Sequence, residues 1–162
     1  MLLKLDVGFI QPCIDWAIQR LQLDQENEDL DVVLLAAATT YEDAFPLVEQ
    51  IIVRYVGADA IDQQLAAGKY IAKLFREYKT GAESIESLDT KFSTLYYNLG
   101  YPSWLVMLSR NCEYATDIDT FNEPFEQEFE YIAKLWDSSS TLSEFESKYD
   151  RKVSNQHDAK YY

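Results

Sequence analysis

Apolar residues recur along most of the chain at the three- and four-residue spacing of an amphipathic helix. The clearest case is Glu123–Asp137, where the apolar side chains fall on one helical face and the glutamates on another. Its apolar positions are Phe125, Phe129, Ile132 and Trp136. No stretch of the sequence combines strand-like alternation with hairpin turns. The pattern therefore predicts an all-α protein.

Caps and helix breakers divide the first part of this pattern into separate helices. The first helix begins near Pro12, and Asp29 is placed to cap the second. Because Pro46 belongs in a first turn, the third helix is expected to start near Ala44 or Phe45. Each of these breaks is followed by apolar residues at helical spacing.

The second part of the chain continues the helical pattern. The longest predicted helix, Ala58–Tyr78, contains Gly68, which weakens the prediction in mid-helix. Further helices are predicted over Glu83–Asn98 and from Ser103, with an irregular acidic segment at Asn111–Asn122. A last, short helix is predicted near the end of the chain, over 142–149.

These segments amount to about seven or eight helices joined by short loops. Such a series predicts antiparallel helix pairs, and a HEAT- or armadillo-like stack fits the helix lengths, although no self-similar repeat supports it. The chain length fits one domain. We expect residues 1–150 to form a single helical domain and residues 151–162 to form a mobile tail.

The charge of the chain is strongly negative and unevenly distributed. The formal net charge is −14, and the segments Leu21–Val53 and Asn111–Ala133 contain eight and seven acids without a Lys or Arg. This balance argues against direct binding to nucleic-acid phosphates or to an anionic membrane. It favours a basic partner, and solubility alone is an equally weighted explanation.

The residues needed for catalysis are scarce. The single histidine, His157, lies in a polar stretch near the end of the chain, so a nucleophile with an imidazole base is not expected. Cys13 and Cys112 lack metal-ligand spacing and are expected to be reduced structural thiols of a cytoplasmic protein. The sequence shows neither a signal peptide nor a long apolar segment. We therefore predict a cytoplasmic protein that is not an enzyme and has no cofactor.

The segment Asp117–Glu128 partly matches the pattern of a calcium-binding EF-hand loop. Asp117, Asp119 and Glu128 match the first, third and twelfth positions of an EF-hand loop. Phe121 then occupies a ligand position, and Asn122 replaces the glycine that the turn requires. The sequence therefore predicts no metal site.

Aromatic residues offer anchors for a protein interface beside the second acidic segment. Five of them surround the turn Gly100–Pro102, and either core packing or a binding patch would explain them. They are Tyr96, Tyr97, Tyr101, Trp104 and Tyr114. We predict that the partner-binding residues are Tyr114, Asp117, Asp119, Phe121, Glu123, Glu126 and Glu130. The acidic loop Asp24–Asp31 is the second choice because it lacks an aromatic anchor.

Three segments resemble a family of small acidic helical immunity proteins that accompany bacterial polymorphic or contact-dependent growth-inhibition toxins. The segments are Ile14–Leu23, Phe92–Arg110 and Phe125–Trp136, with the sequences IDWAIQRLQL, FSTLYYNLGYPSWLVMLSR and FEQEFEYIAKLW. The resemblance implies a cytoplasmic protein that binds and neutralises a cognate toxin with a basic surface, often a nuclease. Two alternatives remain, a helical protein-interaction adaptor and an acidic mimic of nucleic acid.

Overall fold

A computed structural model describes residues 2–57 and 62–158, with side chains described up to residue 150. All regular structure in this part of the chain is helical, which confirms the all-α prediction with its seven or eight helices. The helices are α1 (Gln11–Gln22), α2 (Leu30–Ala37), α3 (Tyr41–Val56), α4 (Gln63–Lys79), α5 (Ile85–Asn98), α6 (Ser103–Asp117), α7 (Asn122–Asp137) and α8 (Leu142–Asp158), with a short 3-10 helix, Asp119–Phe121, between α6 and α7. None of the described helices is long and apolar enough to cross a bilayer.

The contacts divide the chain into two compact units, unit 1 (Met1–Ile61) and unit 2 (Asp62–Tyr162). In unit 1, α2 packs against both α1 and α3. In unit 2, α5 packs against α6 and α6 against α7, whereas α4 packs most extensively against α7. The α4–α7 contact joins helices that are distant in sequence, which strictly sequential pairing would not produce. The HEAT- or armadillo-like stack and the single domain 1–150 stay predictions.

Helix α3 begins earlier than its internal proline suggested. The prediction that it starts near Ala44 or Phe45 is wrong, because Thr40 caps a helix that begins at Tyr41. The Thr40 hydroxyl oxygen accepts a hydrogen bond from the Asp43 backbone N–H at 3.2 Å. A side-chain cap of this kind satisfies an otherwise unpaired N–H group, so the first turn forms before the proline is reached.

Two later boundaries also differ from the predicted ones. The segment Asn111–Asn122, predicted to be irregular, is largely helical, because buried Leu108, Cys112 and Ala115 extend the apolar face of α6. Helix α8 continues to Asp158, so the backbone of the first part of the predicted tail is helical. Residues 58–61, where the α4 prediction began, and residues 159–162 lie outside the described residues.

The core of unit 2 is built on α7 as its sequence pattern predicted. Phe125, Phe129, Ile132 and Trp136 are all fully buried. Trp136 stacks on Phe145 of α8 with ring centroids 3.7 Å apart. Aromatic packing therefore fixes both ends of the four-turn face of α7 against its neighbours.

Helix α2 is apolar on every side, and unit 1 buries only part of it. Val32 and Leu35 are buried against α1 and α3. Leu30, Val33 and Leu34 remain 65%, 39% and 47% exposed. Periodicity cannot select the buried face of a helix that is apolar all round, so the sequence pattern left this choice open.

Candidate partner-binding surface

The predicted partner-binding residues lie on three consecutive elements of unit 2. Tyr114 and Asp117 are in the last turns of α6, Asp119 and Phe121 form the 3-10 helix, and the three glutamates are on α7. The structure brings Tyr114 and Phe121 together, with their rings edge to face and centroids 4.9 Å apart. Tyr114 is 37% exposed, so this aromatic pair is accessible from solvent.

Two further apolar residues extend the exposed aromatic surface along α6. Met107 is 47% exposed and lies on the same face of α6 as Tyr114, two turns earlier, with the polar residues Arg110 and Asn111 between them. Ile118 is 44% exposed and is the extended residue that follows the last turn of α6. We call Met107, Tyr114 and Ile118 the α6 stripe. Sequence analysis missed Met107 and Ile118, although their spacing of seven and four residues from Tyr114 was visible. An exposed apolar stripe of this kind is typical of a protein-binding surface when polar residues surround it.

Acidic side chains cluster beside this stripe. Asp89 of α5 has a pKa raised above its ordinary value, by burial first and then by the negative charges of Glu113 and Asp117 on α6. One carboxylate oxygen of Asp89 is buried and accepts no hydrogen bond. Sequence analysis did not identify Asp89 as a neighbour of Glu113 and Asp117, because only the packing of α5 on α6 brings these three acids together. We call Asp89, Glu113 and Asp117 the acidic cluster.

Two of the predicted glutamates already have polar partners within unit 2. The Tyr78 hydroxyl donates a 2.8 Å hydrogen bond to Glu126, and the Lys79 ammonium lies 4.0 Å from the same carboxylate. Glu130 forms an ion pair with Lys134 at 2.5 Å, which lowers the pKa of its carboxyl. Helical spacing placed both acids outside the apolar face of α7. It could not show that Lys79 of α4 and Lys134 in the next turn of α7 lie beside them.

The remaining predicted acids form fewer polar contacts within the protein. Glu123 accepts a 3.0 Å hydrogen bond from the Gln127 side chain. Among the described residues, no ion pair involves Asp117, Asp119 or Glu123. The negative charge beside the α6 stripe is therefore uncompensated.

The competing acidic loop in unit 1 is only partly paired, because two of its five acids form ion pairs within the described residues and Asp24, Glu26 and Glu28 form none. The Arg54 guanidinium pairs with both Asp29 and Asp31, and the Tyr55 hydroxyl donates a 2.9 Å hydrogen bond to Asp29. Arg54 is the main reason why the pKa of Asp29 lies below its usual range. The loop does have an aromatic neighbour, Tyr55, which the sequence ranking had overlooked. The loop therefore keeps negative charge of its own, and it stays the second candidate because the hydroxyl of its aromatic neighbour is already bonded to Asp29.

The predicted cluster of aromatic residues at the Gly100–Pro102 turn divides into two parts. Trp104 is buried, and it packs edge to face against Trp136 and Phe145. Tyr97 and Tyr101 are 69% and 57% exposed, with ring centroids 6.0 Å apart. Core packing therefore explains the tryptophan, whereas these two tyrosines are available at the surface.

The described part of the chain offers little for chemistry. Within it, no group of three or more His, Cys, Asp or Glu residues could hold a metal ion. Cys13 and Cys112 are free, and burial raises the pKa of each thiol. The side chain of His157 lies outside the described residues.

Comparison of the chain with protein-family models, curated proteins and solved structures found no match.

Proposed function

We propose that this chain is a non-catalytic immunity protein, which binds and neutralises a toxin domain with a basic surface in the bacterial cytoplasm. The observation that carries the proposal is the juxtaposition of the α6 stripe with uncompensated acids. Met107, Tyr114 and Ile118 supply exposed apolar area, and Glu113 and Asp117 supply negative charge on the same helix. An apolar centre with a charged rim is the usual anatomy of a protein interface.

The two parts of this surface would act on different steps of binding. Uncompensated acids attract a cationic partner over the screening distance and raise its association rate. The apolar stripe loses water only in the complex, so it sets the dissociation rate. A nuclease needs cations to hold phosphate, and a protein that covers those cations would block its substrate.

The test captures the partner with two variants of the chain that carry the same net charge. The surface variant reverses Asp117, Asp119 and Glu123 to Lys. The control variant reverses Asp15, Glu146 and Asp150 to Lys, three exposed acids outside the surface. Proteins captured from the native organism by wild type and each variant are identified by mass spectrometry. The captured protein is then purified, and its activity and binding rates are measured with each variant.

We expect wild type and the control variant to capture a basic protein and to abolish its activity at an equimolar ratio. The surface variant should associate at least tenfold more slowly at low salt, and added salt should reduce the difference because the charges are exposed. Circular dichroism establishes first that both variants are folded. Binding without loss of activity would favour the adaptor alternative, and equal association rates for the two variants would show that the surface lies elsewhere.

A further inference from the structure

A cavity of ≈ 470 Å³ lies within unit 1, between helices α1, α2 and α3. Its walls are mainly apolar, and they include Cys13, Val32, Leu35, Val48, Ile51 and Ile52. This volume is within the range of small-molecule sites, roughly 300–1,000 Å³. With a share of about 30 Å³ for each water-sized group, it has room for about 15 non-hydrogen atoms. Apolar walls of this size favour a ligand with a hydrocarbon body.

One charged side chain lines this cavity, and it is a cation. Arg20 lies over the Trp16 ring at 5.3 Å from the ring centroid and donates a long, 3.5 Å hydrogen bond to the Gln25 carbonyl. No carboxylate within the described residues forms an ion pair with Arg20. A guanidinium carries five N–H donors, so most of its hydrogen-bonding capacity remains open.

The neighbouring arginine lies in a different electrostatic environment. Arg54, on the adjacent α3, takes both nearby carboxylates, Asp29 and Asp31. Arg20 is instead held over an aromatic ring at the edge of an apolar cavity. An anionic group bound in the cavity would therefore form an ion pair with Arg20 without displacing a carboxylate.

The loop that supplies the polar edge is held in an unusual backbone conformation. Asp24, Asn27 and Glu28 have φ values of 51°, 52° and 61°. Residues other than glycine adopt this left-handed region at a cost that the surrounding structure must offset. Gln25 and Asn27 of this loop line the cavity, so two amide side chains add polar groups to its otherwise apolar wall.

We propose that the cavity of unit 1 binds a small amphiphile with an apolar body and an anionic head group, which pairs with Arg20. The hydrocarbon body displaces water from the walls of α1, α2 and α3. The head group accepts charge-assisted hydrogen bonds from the guanidinium. Because these bonds are stronger than those to a neutral group, an anionic head group should bind more tightly than a neutral one. This site is separate from the α6 stripe and does not depend on the proposed toxin partner.

The test compares three probes that share a dodecyl chain and differ in the head group. They are dodecanoate, dodecanol and dodecyltrimethylammonium, each titrated calorimetrically into the full chain. The two ionic probes are kept below their micelle concentrations and dodecanol below its solubility limit. We expect dodecanoate to bind at least tenfold more tightly than dodecanol, and the cationic probe to bind more weakly than either. Tenfold corresponds to about 1.4 kcal/mol. No binding of dodecanoate, or binding of the cationic probe as tight as that of dodecanoate, would overturn the proposal.

Substitution at Arg20 tests the head-group contact directly. Arg20→Met should reduce the affinity for dodecanoate to that for dodecanol, whereas Lys4→Met removes the same charge outside the cavity and should change neither. Arg20→Lys keeps the charge and should retain most of the preference. If Arg20→Met binds dodecanoate as wild type does, the proposal is wrong.

Cys13 gives a second readout that needs no variant. Because Cys13 lines the cavity, dodecanoate should slow its reaction with a maleimide, while buried Cys112 serves as the internal control. Unchanged labelling of Cys13 at saturating dodecanoate would place the ligand elsewhere and overturn the assignment.

Discussion

Replacing Gly68 by alanine should destabilise the protein, although alanine is the better helix former by about 1 kcal/mol. Gly68 lies in the middle of α4 and is buried against α7. A Cβ atom at this position would lie 2.0, 2.3 and 2.4 Å from three atoms of the Trp136 ring. Glycine is therefore required here by the close approach of two helices and not by its backbone conformation.

The size of the effect follows from how little the ring can move. Restoring an ordinary contact of 3.4 Å requires a shift of roughly 1.4 Å between Trp136 and α4. The ring already stacks on Phe145 at 3.7 Å and meets Trp104 edge to face at 5.1 Å. Overpacking in such a core costs about 1–3 kcal/mol. Three ring contacts below 2.5 Å place Gly68→Ala at the upper end of that range, about 3 kcal/mol, against a gain of about 1 kcal/mol in helix propensity. We expect a net loss of about 2 kcal/mol and a Tm lower by about 6 °C.

The assay is urea unfolding of wild type and Gly68→Ala, with circular dichroism as the measure of the folded fraction. Thr90→Ala, at an exposed position of α5, is the control and should change stability by less than about 0.5 kcal/mol. Trp136→Phe removes part of the ring that the new methyl group meets, so the double variant should lose less than the sum of the single variants. A Gly68→Ala protein as stable as wild type, or strictly additive losses, would refute the close-contact argument.

Three further predictions concern ionisable groups. Because Arg54 lowers the pKa of Asp29, this pair stabilises the fold above the ordinary Asp pKa of 3.8, and the stabilisation is lost as the pH falls through the lower folded value. Asp29→Asn should therefore flatten the acid side of a plot of urea midpoint against pH, and an unchanged plot would contradict this assignment. The raised pKa of Asp89 has the opposite effect on stability. The free energy of unfolding falls as the pH rises from 3.8 through the higher pKa of the folded state. Asp89→Asn should raise the urea midpoint at pH 7 but not below the ordinary pKa, and a lower midpoint at pH 7 would count against it. Without ligand, Cys13 should react with iodoacetamide before fully buried Cys112, as mass spectrometry of the modified peptides would show; equal rates would contradict the burial of Cys112.

The residues of α7 show what local sequence can predict. Phe125, Phe129, Ile132 and Trp136 repeat at helical spacing among polar residues, so one helix alone identifies the face that is buried. Asp29 was likewise predicted as a cap from its position, and its carboxylate accepts the Asp31 backbone N–H at 3.1 Å. Both features depend on residues within a few positions of one another.

Features that depend on distant residues escaped prediction for the same reason. Gly68 looked like a weak point in a helix until its partner, 68 positions later in the chain, was known. Glu126 looked free because Tyr78 and Lys79 come from another helix. The acidic cluster was invisible because Asp89 and Glu113 meet only when α5 packs on α6. Tertiary contacts thus decide which acids remain uncompensated.

The position of the uncompensated acids bears on whether the charge serves more than solubility. Solubility requires net charge but no particular arrangement, and dispersed acids meet that need with the least self-repulsion. In this chain, Arg54 pairs with two of the five acids of one loop and Lys134 pairs with Glu130, while no ion pair among the described residues involves the acidic cluster beside the exposed apolar stripe. Burial of Asp89 next to like charges lowers the stability of the unbound protein. A basic partner would relieve that repulsion, so the energetically unfavourable arrangement is itself an argument for binding.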